Sequence, residues 1–104
     1  MADFTELIRT AVANNNYRIS HHARQKRGKR RLTFREITTA ITNGEIVEAH
    51  PQDSRGPKCL FMHPVRPNRP LYVSCGWDGS QAVIITAHWR DPGRWHDWRR
   101  RIKK

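Results

Sequence analysis

The stretch "RISHHARQKRGKRR", residues 18–31, sets two adjacent histidines among seven basic residues with no acid. His22, Lys26 and Arg30 follow one another at intervals of four, the spacing that aligns side chains along one face of a helix. Cutting an RNA phosphodiester without a metal needs a base for the 2′-hydroxyl, cations for the crowded phosphorane oxygens and an acid for the departing 5′ oxygen. An imidazole beside an ammonium and a guanidinium supplies those types. Against this stands a blander reading, in which a lone histidine packs or caps a helix start and a basic run is simply a solvated face. The run's surroundings favour phosphate. Residues 7–35 hold no carboxylate, while residues 18–35 hold eight basic side chains, an electrostatic footprint for a polyanion. Arg18, Arg24, Arg27, Lys29, Arg31 and Arg35 are accordingly candidate nucleic-acid contacts, and His21 reads as exposed.

Two segments late in the chain offer partners for that face. Strand alternation in "PLYVSCGW" sets Tyr72, Ser74 and Gly76 on one side and Val73 and Cys75 on the other. In "QAVIITAHW" the same period groups Ile84, Thr86 and His88 against Ile85, Ala87 and Trp89. Tyr72, Thr86 and His88 are thus candidates to line a cleft below the basic helix. Taken singly, each reads more readily as a core or surface residue, so only their convergence would matter. The tail "RDPGRWHDWRRRIKK" adds seven positive residues and two tryptophans. Arg90, Trp95, Arg99, Arg100 and Arg101 are its candidate phosphate and base-stacking contacts.

The elements that must position these residues are written in order along the chain. Asp3 caps a first helix, with Glu6 three residues on and Phe4, Leu7, Ile8, Ala11 and Val12 on its apolar face, and the asparagines at 14–16 end it. "YRIS" reads as an extended link. Ser20 caps a brief basic helix that Gly28 closes. "LTFREI" carries Thr33 as N-cap, Glu36 as box partner and Leu32 with Ile37 as a staple; Ile37, Ala40 and Ile41 form the buried stripe, and Gly44 stops the helix by taking positive φ. After Gly44 the period changes to that of strands, in four segments separated by "PQDSRGP", "PVRPNRP" and "DGS". The expected fold is α+β: N-terminal helices packed on a four-stranded antiparallel sheet, in one domain over residues 1–104 with a basic, Trp-rich tail at 90–104.

Composition bounds the function classes. The 104-residue chain carries 20 Lys and Arg against 9 Asp and Glu, a net charge of +11, and so attracts polyanions: nucleic acid or an acidic protein. No apolar run is long enough to span a bilayer and "MADFTELIRT" is not a secretion leader, so a cytoplasmic protein without membrane contact is expected. Cys59 and Cys75 read as buried thiols. The six histidines and two cysteines show no CxxC, HxxxH or HExxH spacing, so no metal site and no cofactor are expected. A glycine-rich phosphate loop, a GxSxG elbow and a paired-carboxylate motif are all missing, which sets aside motif-based NTPase, serine hydrolase and glycosidase readings.

Together "SHHARQKRGKRRLTFREITTAITNGEIVEAHP" and "PLYVSCGWDGSQAVIITAHWRDPGRW" resemble a family of small bacterial domains of unknown function, over about residues 17–95. That family opens with H-A-x-x-R, has a helix ending in N-G-E and closes with a T-x-Y-x-P-D strand. Its members are often encoded beside MqsA/YgiT-type zinc-finger antitoxins, and it looks related to the RelE, ParE and MqsR-like toxins of the barnase/colicin/RelE group. The resemblance implies a RelE-like layout and a toxin of a toxin–antitoxin pair: a metal-independent endoribonuclease acting on RNA, in particular messenger RNA, with an acidic or zinc-finger antitoxin as partner. His22 and Ala23 match the H-A, Arg30 a second basic position, Asn43, Gly44 and Glu45 the N-G-E, and Thr86 and Asp91 the closing strand and its exit. Lys26 stands where the family usually has Arg, keeping the charge but not the bidentate fork. Tyr72 stands at a position commonly His, and His88 at one commonly Tyr, so the two can trade roles as acid and phosphate ligand. The competing expectations are a non-catalytic nucleic-acid-binding or regulatory module, and a toxin that acts on a protein target.

Overall fold

Each helix begins at a side-chain cap, and the caps set the helix boundaries. A computed structural model describes residues 3–67 and 69–89. Asp3 accepts from the Thr5 and Glu6 amides to start α1 (Phe4–Ala13), and Ser20 accepts from the Ala23 amide to start α2 (His21–Lys29). Thr33 and Glu36 exchange hydrogen bonds in a full capping box at the head of α3 (Phe34–Asn43), leaving few amides of the first turn unsatisfied. Two helix ends differ from expectation. Gly28 lies within α2, whose cap is Arg30, followed by Arg31 at φ 54°. Gly44 ends α3 at φ −81°; a Cβ there would stand 2.1 Å from the Ala40 carbonyl oxygen and 2.6 Å from that of Met62. Glycine is needed for close packing of α3 on the sheet, not for a left-handed turn.

The sheet has five strands, not four, and is mixed. β2 (Glu45–His50), β3 (Lys58–Arg66), β4 (Arg69–Trp77) and β5 (Ala82–Trp89) form the antiparallel meander, and β1 (Tyr17–Ile19) adds to β5 in parallel, giving the order β1-β5-β4-β3-β2. Three residues are too few to display a strand period, and their partners Ala82–Ile84 are far away in sequence; "YRIS" therefore looks like a link when read alone.

One layer of apolar side chains decides which sheet face is closed. Ile8, Ala11 and Val12 of α1 and Ile37, Ala40 and Ile41 of α3 share a buried cluster with Cys59, Phe61, Leu71, Val73, Cys75, Ile84 and Ala87. Leu7, expected on that face, is 40% exposed. Leu60, Met62 and Tyr72 point the other way and form a second small cluster. A β-bulge at Ile85 sets the sides of β5: Ser74 pairs with Thr86 but Cys75 with Ile84. The extra residue moves Ile84 into the core while Thr86 stays opposite, so the three-residue grouping of Ile84, Thr86 and His88 breaks.

The basic helix does not lie over the sheet but along its margin. β1 covers β5 only as far as Ile84, and beyond it the Ser20 amide donates to the Ile84 carbonyl at 2.9 Å, Ser20 Oγ to Ile85 at 2.7 Å and an Arg30 guanidinium nitrogen to Ala87 at 2.8 Å. Trp89 Nε1 returns a bond to the Arg30 carbonyl at 3.1 Å. With these bonds α2 occupies an edge that would otherwise invite another strand. No described helix is long and apolar enough to cross a membrane.

Candidate functional site

Because α2 runs along the β5 margin, Ala23 turns to the core while His22, Lys26 and Arg30 turn to the sheet face opposite α1 and α3. There they wall a groove of about 790 Å³ whose floor includes Lys58 and Leu60 of β3, Ser74 of β4 and Thr86 and His88 of β5. Glu48 and His50 of β2 close its far side. Five of the six residues expected to act together, His22, Lys26, Arg30, Thr86 and His88, therefore line one space. His22 is exposed, and Lys26 and Arg30 are half-buried. One Arg30 nitrogen is held by Ala87, which orients the fork while other N–H groups remain to meet an anion.

Tyr72 departs from expectation. It is completely buried with Leu60 and Met62, and it does not line the groove. Its ring lies nearly parallel to that of His88, with planes 13° apart and centroids 5.5 Å apart. Tyr72 therefore reaches the groove only through this ring contact with His88. The cross-strand register explains the contact, since Tyr72 and His88 are directly opposite in β4 and β5.

Sequence reasoning missed Glu48, His50 and Lys58. Glu48 Oε1 lies 3.5 Å from His50 Nε2, so the groove holds a third imidazole, this one with a carboxylate beside it, the arrangement that orients a histidine for proton transfer. The signal was present in "EIVEAH", where alternation places Glu48 and His50 on one face. Lys58, paired with Asp53 at 3.3 Å, brings a third cation to the groove. Among the described residues no group of three or more His, Cys, Asp and Glu is placed to hold a metal ion.

The chain belongs to the DUF4258 family. The model of this domain of unknown function matches residues 19–89, from the end of β1 to the end of β5, and thus every groove-lining residue. Neither a curated protein nor a solved structure matches the chain.

The remaining nucleic-acid-binding candidates, inside and outside the matched residues, divide by environment. Arg24, Lys29, Arg31 and Arg35 are exposed, as is Arg18 on β1. Arg27 is spent internally: it donates to the Leu32 carbonyl at 3.1 Å and stacks 4.2 Å over the Phe34 ring. Arg35 lines a separate cleft with His63. Arg90, Trp95, Arg99, Arg100 and Arg101 lie outside the described residues. Both cysteines are free and buried, and burial raises the Cys59 thiol to about 12 and Cys75 well above its usual value. Neither is a nucleophile near neutral pH.

Proposed function

We propose that the protein is the toxin of a toxin–antitoxin pair, RelE-like in layout, and that it cuts RNA in the groove between α2 and the open face of the sheet. The observation that carries this reading is the convergence of His22, His50 and His88, from three different elements, with Lys26, Arg30 and Lys58 around one space. In the proposed reaction His22 takes the 2′-hydroxyl proton, and the 2′ oxygen bonds to phosphorus as the bond to the 5′ oxygen breaks. His50, oriented by Glu48, returns a proton to that oxygen. The products are a 2′,3′-cyclic phosphate and a 5′-hydroxyl, so atoms and charge balance without a co-reactant. Lys26, Arg30 and Lys58 stabilise the charge on the non-bridging oxygens. His88, stacked on Tyr72, and Thr86 orient the phosphate.

The strong positive charge favours RNA as substrate and, equally, an acidic or zinc-finger antitoxin as the partner that masks the groove. Purified protein incubated with RNA in EDTA tests the reading. Expected is cleavage to cyclic-phosphate ends that His22→Ala abolishes. RNA that remains intact, or cleavage indifferent to His22→Ala and His50→Ala, would overturn it; RNA binding in that case would define a non-catalytic nucleic-acid-binding module.

A further inference from the structure

A second hollow opens on the same sheet face, next to the groove and sharing Lys58 with it. It is a slot of about 250 Å³ between the β2–β3 loop and the start of β5, walled by Pro57, Val83 and Ile85, with Arg18, Arg55, Asp53 and Asp78 at its rim; the Trp77 side chain packs toward the core instead. Gly76 lies at its base, where an added Cβ would stand 3.4 Å from Ile85 Cδ1, so any longer side chain would have to enter the space. Pockets that bury drug-sized ligands run from about 300 Å³ upward; this slot suits one heterocycle. Lys58 stands at the junction, held by Asp53 at 3.3 Å.

We propose that the slot is a base-binding subsite, taking the nucleobase next to the phosphate held at α2. The inference rests on RNA as the ligand of the groove. Its physical ground is threefold. The apolar surfaces of Pro57, Val83 and Ile85 favour the flat, apolar faces of a heterocycle. Arg18, Arg55 and Lys58 outnumber Asp53 and Asp78 around the slot, which leaves positive charge beside an occupant that would be attached to a phosphodiester. Finally, continuity through Lys58 lets one nucleotide place its phosphate in the groove and its base in the slot. The bulge at Ile85 serves both, because Ile85 faces the slot while Thr86, the next residue, faces the groove.

The four ribonucleoside 3′-monophosphates, titrated separately into the full chain and followed by amide NMR, test this. Expected is binding of at least one of them with shifts at Gly76, Trp77 and Val83. Ile85→Trp, which fills the slot, and Arg18→Ala, an exposed position, should each weaken that binding about tenfold or more, with unchanged circular dichroism. Absence of shifts in the slot with all four nucleotides, or binding by Ile85→Trp as tight as by the natural chain, would overturn the subsite. Oligonucleotides that differ in one base separate the two proposals: cleavage indifferent to the neighbouring base removes the slot and spares the nuclease, whereas slot binding by a chain that cuts no RNA removes the nuclease and spares the slot.

Discussion

The two faces of this sheet are built from the same strands, one residue out of step. Toward α1 and α3, Cys59, Phe61, Val73 and Cys75 are sealed in the core. Toward the groove, Lys58, Ser74, Thr86 and His88 meet imidazoles and cations from α2 and β2. The difference teaches that stability and the proposed chemistry are assigned to different residues of the same strands, because the period of a strand turns neighbours to opposite faces. Substitutions in the core should change folding free energy, and those at the polar groove-lining residues, as opposed to the buried Leu60, Met62 and Tyr72 beside them, should change RNA turnover or binding at constant stability.

The sharpest break of this division uses Phe61, fully buried. Phe61→Ala should cost about 3–5 kcal/mol in urea unfolding, by lost transfer energy and the cavity left behind, and take activity with it only where the fold is lost. Next, His22→Ala should lower RNA cleavage about 100-fold or more while shifting unfolding by less than about 0.5 kcal/mol, as expected for an exposed side chain. Ser20→Ala should straddle the two behaviours. It removes the cap of α2 and the bond to Ile85, costing about 1 kcal/mol by thermal unfolding, and should also reduce turnover because His22 loses its anchor. Lys26→Ala should leave stability alone and lower the slope of log affinity for RNA against log salt by about one contact.

The smallest effect expected is a pH effect away from the groove. The Arg66 guanidinium, bonded at 2.7 Å, holds the Glu36 carboxyl below its usual value. A carboxyl lowered in the folded state stabilises the fold above its unfolded pKa, and that contribution is lost as pH falls through the folded value. Denaturation of Glu36→Gln and the natural chain should therefore differ near neutral pH and converge in acid. A gap that widens in acid would contradict the pairing.

Much of this division is legible in the sequence, since alternation separates Val73 and Cys75 from Ser74 and the four-residue interval aligns His22, Lys26 and Arg30. Helix caps at Asp3, Ser20 and Thr33 are equally local and equally readable. What is not legible depends on distant pairing. β1 is three residues long and gains meaning only from Ala82–Ile84. The bulge at Ile85 has no local marker in "AVIITAHW". Tyr72 looks like a site residue by alternation, yet Leu60 and Met62 from β3 bury it. His50 and Glu48 went unread because their strand carries no basic run to draw notice, although they complete the groove.

Ser20 uses its hydroxyl twice, accepting from the Ala23 amide and donating to the Ile85 carbonyl. The residue that opens α2 is thus riveted to the kinked point of the strand that carries Thr86 and His88. Removing Ile85 would restore a regular ladder and leave Ile84 and Thr86 on their present sides, yet it would erase that anchorage. Together with the Arg30–Ala87 and Trp89–Arg30 bonds at the other end of the helix, this serine joins the α2 wall of the groove to its β5 floor as one connected piece.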